Sequence, residues 1–267
     1  MDSHLFDPSS IVAYVITGII AGIVNTLAGG GSLFTLSLLM FLGMPVGIAN
    51  GTNRLGILFQ NITGTYTFSK SNLLDIPSSM KYVIPSLLGA IVGAFTVADI
   101  DEQTLQYIIG SIMTAMLYPI IKGNKQKTSI HFSAHQKPSF VIWRDNIIFF
   151  CIGFYGGFVQ AGIGIMILVS VSNLGKMSLI RANAVKMLII AAYTFPVFLV
   201  FVYKGQVIWV AAILLAIGQV IGTWFAGKFA SGSEKVNIFI KWLLVSMVAV
   251  SILKMFGLLT WLIEYIT

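Results

Sequence analysis

The chain has 267 residues, of which 57% are hydrophobic and 9% charged, and its mean hydropathy is +0.92. Soluble domains carry about 25% charged residues, so the composition excludes a cytosolic enzyme, a nucleic-acid-binding module and a disordered chain, and predicts an integral membrane protein. The net charge of +7 then reports orientation in a lipid bilayer rather than a nucleic-acid partner.

The N-terminal run Met1-Asp2-Ser3-His4-Leu5-Phe6-Asp7 is acidic where a signal peptide is basic, so the first apolar stretch is expected to stay in the mature chain. A membrane-crossing helix needs about 20 apolar residues. Apolar blocks are predicted at 11–42, 47–69, 77–98 and 103–121. A basic linker follows from Lys122 to Arg144, and blocks resume at 146–174, 179–203, 206–227 and 236–263. Blocks 11–42 and 146–174 are too long for one ordinary span and short for two. Each is interrupted by glycines, at Gly29-Gly30-Gly31-Ser32 and at Gly162 and Gly164. A helical hairpin that enters, turns and leaves on one side fits both facts, since glycine reaches positive φ without steric cost. One long tilted helix with packing glycines is the rival. Cys151, in Phe149-Phe150-Cys151-Ile152, reads as a small packing residue.

Loop charge supports the hairpins. Lys122, Lys125, Lys127, Lys137 and Arg144 place the linker in the cytoplasm. If both odd blocks return to their own side, Lys70, Lys81, Lys176, Arg181, Lys228 and Lys235 also fall inside, and Asp99, Asp101 and Glu102 outside. Lys204 is the exception, and both termini are external. The expected architecture is an all-α polytopic membrane protein of two inverted repeats, each a glycine-broken hairpin plus three transmembrane helices. Residues 1–122 form the first repeat, 123–144 the linker and 145–267 the second. Matching residues recur in order: Gly18-x-x-x-Gly22-x-Val24-Asn25 with Gly153-x-x-x-Gly157-x-Val159-Gln160, Met44…Ala49-Asn50 with Met177…Ala182-Asn183, and Gly89-x-x-x-Gly93 with Gly218-x-x-x-Gly222. Inverted repeats with discontinuous helices are a transporter signature, with the site at the repeat interface.

Ala28-Gly29-Gly30-Gly31-Ser32, Gly43-Met44-Pro45 and Ala49-Asn50-Gly51-Thr52-Asn53 resemble the first half of the sulfite exporter TauE/SafE family. Gly156–Gly164 and Ala182–Lys186 resemble its second half, with Ile163 and Ile165 replacing small residues. The resemblance runs from about residue 11 to 260. It implies a transporter of small sulfur-containing or carboxylate anions, such as sulfite or organosulfonates, in a bacterial inner membrane.

The residues supply chemistry for such a cargo. Arg54 and Lys186 each lie about seven residues into a predicted span, at matching places in the two halves, whereas Asp and Glu keep to loops, tails and span ends. A charge at depth costs at least about 2.5–3.5 kcal/mol and normally faces a cavity or partner, so a small anionic substrate is expected there. Snorkelling to the headgroups is the alternative. The helix starts after Gly29-Gly30-Gly31 and Gly162-Ile163-Gly164 present free N–H groups and positive dipole ends, which suit an anion. Close helix packing is the alternative for these glycines. Ser32, Asn25, Asn50, Asn53, Gln160 and Asn183 add hydroxyl and amide donors. For Gln60, Asn61 and Gln219 plain interhelical hydrogen bonding is favoured. No catalytic set, phosphate-binding loop, metal cluster or cofactor motif is found, and a homo-oligomer stays open. Trp143, Trp209, Trp242 and Trp261 lie near span ends as interface anchors. Another small anion, carboxylate or thiosulfate, or an anion channel, is the competing function.

Overall fold

A computed structural model describes residues 7–27, 30–122 and 139–228 and scattered positions between 242 and 253. Ser3, Gly29, most of the linker and nearly all of the last predicted block therefore lie outside the described residues. Every regular element among the described residues is a helix. In chain order they are α1 (Pro8–Leu27), α2 (Gly31–Phe41), α3 (Val46–Lys70), α4 (Ile76–Ala98), α5 (Glu102–Lys122), α6 (Ser139–Phe158), α7 (Ile163–Gly175), α8 (Leu179–Tyr203) and α9 (Trp209–Lys228). The two long glycine-rich blocks are thus each split into two helices. The helices α1, α4, α8 and residues 209–226 of α9 are long and apolar enough to cross a bilayer. The short members α2 and α7, 11 and 13 residues, extend only about 16–20 Å, well under the hydrocarbon thickness.

Local chemistry sets several of the boundaries. Asp75 caps α4 by accepting from Ser78 N (3.3 Å), and Ser178 caps α8 by accepting from Arg181 N (3.5 Å). These side-chain oxygens satisfy donors that a helix start leaves unpaired. The start of α3 is held from a distance: the Glu102 carboxylate accepts from Val46 N and Gly47 N, a negative charge at a positive helix end.

The packing of the two halves is reciprocal. Helix α1 lies on α9 and α6 on α4, while α3 and α8 cross each other and touch α9 and α4 respectively. The glycines that repeat in the sequence make these contacts. A Cβ on Gly22 would sit 2.4 Å from the Gln219 carbonyl oxygen, and one on Gly222 2.1 Å from that of Ile19. On the other side, a Cβ on Gly89 would meet Phe150 O at 2.0 Å and one on Gly153 would meet Ser86 O at 2.0 Å. Only a missing side chain lets the backbones approach so closely.

Successive glycines on one helix meet successive turns of the other, Gly18 and Gly22 facing Leu215 O and Gln219 O and Gly89 and Gly93 facing Phe150 O and Phe154 O, so α1 is parallel to α9 and α6 to α4. The start of α9 lies with the starts of α3 and α5 and the ends of α4 and α8, joined by Ile208 N donating to Thr52 Oγ1 (3.0 Å) and Gln206 Nε2 donating to Ala98 O (3.3 Å). This first end therefore also holds the start of α1, and α2 carries the chain back to it. The second end holds the starts of α4 and α8. Helix α6 leaves from there, and α7 returns to it at Gly175.

One boundary differs from expectation. Helix α6 begins at Ser139, not at 146, because Phe140-Val141-Ile142-Trp143 are apolar and carry the helix upstream of the charges. Asp145 is therefore inside a helix and buried, paired with Arg144 at 3.0 Å. The outward surface is apolar, with Ile84, Leu88, Val92 and Phe95 along α4 and Ile213, Ile217 and Ile221 along α9 all exposed. In water such stripes would aggregate; against lipid tails they are the expected surface. Trp143, Trp209 and Trp242 are likewise exposed.

Candidate functional site

Each broken helix ends with unpaired carbonyls, and in each case a buried cation from the other half meets them. Helix α6 stops at Phe158, where Gln160 (φ 62°) and Gly162 (φ 69°) turn the backbone left-handed. Arg54 on α3 donates from Nη1 to Gly156 O (2.6 Å) and from Nη2 to Gly157 O (2.7 Å). Asn50, one turn earlier, donates to Phe158 O (2.7 Å). Arg54 also holds Gln160 Oε1 (2.7 Å) and Asn50 Oδ1 (3.2 Å), and its guanidinium lies 5.2 Å from the Phe201 ring centroid.

The counterpart is at the end of α1. Lys186 Nζ on α8 donates to Asn25 O (2.9 Å), and Asn183 Nδ2 donates to Thr26 O (2.9 Å). Thr26 in turn donates to Gly22 O (2.8 Å) and lies 3.2 Å from Thr223 Oγ1. A cation at the negative end of a helix dipole is electrostatically favourable. Arg54 and Lys186 are both 0% exposed, so neither snorkels. Among the described residues no carboxylate bonds either one; their protein partners are carbonyl and amide oxygens.

The two breaks meet. Ser32, in the first turn of α2, donates to Gln160 O (2.9 Å) and accepts from Gly162 N (3.3 Å). Gln160 Nε2 donates to Thr194 Oγ1 (3.2 Å). Gly31 packs so closely on α1 that a Cβ there would lie 2.2 Å from Ala21 O and 2.7 Å from the Asn25 Cβ. Gly30 and Gly164 are buried at the two breaks. Positive φ serves the second break at Gly162, but Gly30 has an ordinary φ of −102°, so its expected left-handed turn is not found there. Asn53 is buried on α3 with its Oδ1 unpartnered.

Arg54 and Lys186, however, leave the α3–α8 pair at different levels. Gly51 lies against Phe201 and Gly64 against Met187, so α3 and α8 are antiparallel. That register puts Lys186 about twelve residues from the level of Arg54, or about 18 Å at 1.5 Å per residue. Each cation is hydrogen-bonded to its own helix end.

The donor inventories also differ. A guanidinium has five N–H donors and an ammonium three. Among the described residues Arg54 has four engaged and only Nε without a partner, whereas Lys186 makes one bond and the neighbouring Asn183 Oδ1 is unpartnered. Two participants escape the sequence argument. Thr194 fixes Gln160, and the wholly buried Tyr193 hydroxyl lies 2.8 Å from where a Gly156 Cβ would be. Their spacing of seven and eight residues from Lys186 puts them on its helix face, which is the signal that could have found them. The favoured interhelical role of Gln60, Asn61 and Gln219 does not appear: Asn61 donates to Ile57 O of its own helix (2.7 Å), while Gln60 Nε2 and both Gln219 amide atoms are unpartnered. Among the described residues no three His, Cys, Asp or Glu side chains group as metal ligands.

The family model for the sulfite exporter TauE/SafE matches residues 14–255. A probable membrane transporter protein of Sinorhizobium sp is 24% identical over 80% of this chain and 81% of its own length. The probable membrane transporter protein YfcA of Escherichia coli K12 is 25% identical, over 76% and 74%. The probable membrane transporter protein YunE of Bacillus subtilis is 26% identical, over 85% and 89%. No solved structure matches the chain.

Proposed function

The chain belongs to the sulfite exporter TauE/SafE family and is a membrane transporter, and from that premise we propose that it exports small sulfur-containing anions, sulfite or organosulfonates, across a bacterial inner membrane. Both termini face outward in this reading, and the chain works as a secondary transporter of two inverted repeats without catalytic chemistry. The carrying observation is a pair of wholly buried cations with no carboxylate partner among the described residues, each at the carbonyl end of a broken helix. Carbonyl dipoles offset part of each charge, and the remaining positive potential favours an anion. Lys186 is the principal anion ligand because it keeps donors in reserve, aided by Asn183 and Asn25. Arg54, Asn50, Gln160, Asn53, Ser32 and the backbone at Gly30, Gly31, Gly162 and Gly164 form the second station of the path. The reciprocal packing of α1 on α9 and α6 on α4 supports rocking of one half against the other.

A thermal-shift screen on purified protein with sulfite, thiosulfate, sulfoacetate, taurine and small carboxylates tests the cargo. Stabilisation by sulfite or a sulfonate, absent in Lys186→Met, is expected. Stabilisation by carboxylates alone would replace the sulfur cargo with a carboxylate one.

A further inference from the structure

The two ends of the α3–α8 pair differ. At the first end, the segment after α8 closes on the start of α3. A Cβ on Gly51 would lie 2.1 Å from Gln206 O, Thr52 holds Ile208, and Lys204 pairs with Asp99. At the second end, the corresponding segments, after α3 and before α8, stand apart around a cavity of about 400 Å³. Its wall includes Asp75, Ser79, Gly175, Lys176, Arg181 and Val185, and Val185 adjoins Lys186 in the chain.

We infer that this cavity is an anion port: a first-contact site where a sulfonate- or sulfite-sized anion meets Lys176 and Arg181 before passing to Lys186. The inference rests on the transport reading above and adds a site to it. Two cations face one acid, and that acid is hydrogen-bonded to the helix start beside it. Asp75 Oδ2 accepts from Ser78 Oγ (2.5 Å) and its Oδ1 from Ser78 N, so its charge is committed to the start of α4. A further donor lies behind the wall at Gly175. Tyr82 is 2% exposed, its hydroxyl has no partner, and it lies 3.0 Å from where a Gly175 Cβ would be. A cleft with an excess of one sign of charge between low-dielectric walls concentrates ions of the other sign. By the loop-charge reading this end is cytoplasmic, where an exporter collects its cargo, so the arrangement corresponds to an inward-open state.

Modification kinetics of the full-length protein in membrane vesicles test the port without any substrate. Met177→Cys, on the cavity wall, is made in a Cys151→Ala background, with Leu73→Cys as a second wall position if the first fails to insert. The anionic reagent 2-sulfonatoethyl methanethiosulfonate is compared with its cationic trimethylammonium analogue. The anion is expected to react about tenfold faster relative to its rate with a free thiol, from the cytoplasmic face only. Lys176→Gln with Arg181→Gln should bring that ratio close to one. Equal rates, a faster cation, an unreactive thiol, entry from the outer face, or a ratio unmoved by the double variant would each overturn the port. A protein that passes this test but moves no sulfur-containing anion overturns the transport reading instead.

Discussion

Replacing each buried cation by methionine should separate their roles, because the two are bonded so differently. Arg54 gives four hydrogen bonds. A bond from a charged donor contributes about 1.5–3 kcal/mol, so Arg54→Met forfeits roughly 6–12 kcal/mol in gross terms. It also relieves the insertion cost of the charge, about 2.5–3.5 kcal/mol. The net loss is at least about 2.5 kcal/mol. Lys186 gives one bond, so the same two quantities nearly cancel and Lys186→Met should leave stability almost unchanged. For a chain of this size 1 kcal/mol moves the unfolding midpoint by about 2–4 °C. Tryptophan-fluorescence melts in detergent should therefore show Arg54→Met lowered by at least about 5 °C and Lys186→Met near wild type. Equal midpoints for the two variants would refute the assignment of Arg54 as the principal tie between α3 and the end of α6.

Gly153→Val should destabilise by more than the usual 1–3 kcal/mol of overpacking, because its first added carbon would meet Ser86 O at 2.0 Å; yield and melting midpoint would report it, and a wild-type midpoint would contradict the α4–α6 contact. Gly162→Val should abolish transport while the protein still inserts, since a β-branched residue resists the φ of 69° there, whereas Ser32→Ala should only weaken it. Ser78 holds the Asp75 carboxyl below its ordinary value through its hydroxyl and backbone N–H, and Thr104 N–H does the same for Asp101. A depressed folded pKa gives stability that is present above the unfolded value, about 3.9, and lost as pH falls through the folded one. Asp75→Ala should accordingly lower the melting midpoint at neutral pH and have progressively less effect in strong acid; a pH-independent difference would contradict this.

The helix positions were largely legible because membrane spans obey a length rule: 47–69, 77–98 and 179–203 match α3, α4 and α8 within a residue. The breaks after Leu27 and Phe158 were legible because glycine clusters interrupt blocks too long for one helix. Which residues answer the breaks was not. Arg54 and Lys186 stand out as deep charges, but their partners are backbone carbonyls, and a carbonyl has no letter in the sequence. An anion was therefore the only visible partner for both cations. The repeated glycine pairs were visible as a pattern, yet their pairing as α1 on α9 and α4 on α6 depends on a long-range approach that no local spacing encodes. The start of α6 was misplaced because Arg144 and Asp145 read as a linker end, although Arg144 can reach solvent and pairs with its neighbour.

The central claim, a sulfur-containing anion carried at Lys186, is tested most directly by counterflow in proteoliposomes. Vesicles loaded with unlabelled sulfite or sulfoacetate take up the labelled anion from outside. The account predicts saturable uptake by the wild-type protein and at least a tenfold loss in Lys186→Met, the variant expected to fold normally. Wild-type counterflow in Lys186→Met, or no exchange of either anion by the unmodified protein, would contradict it.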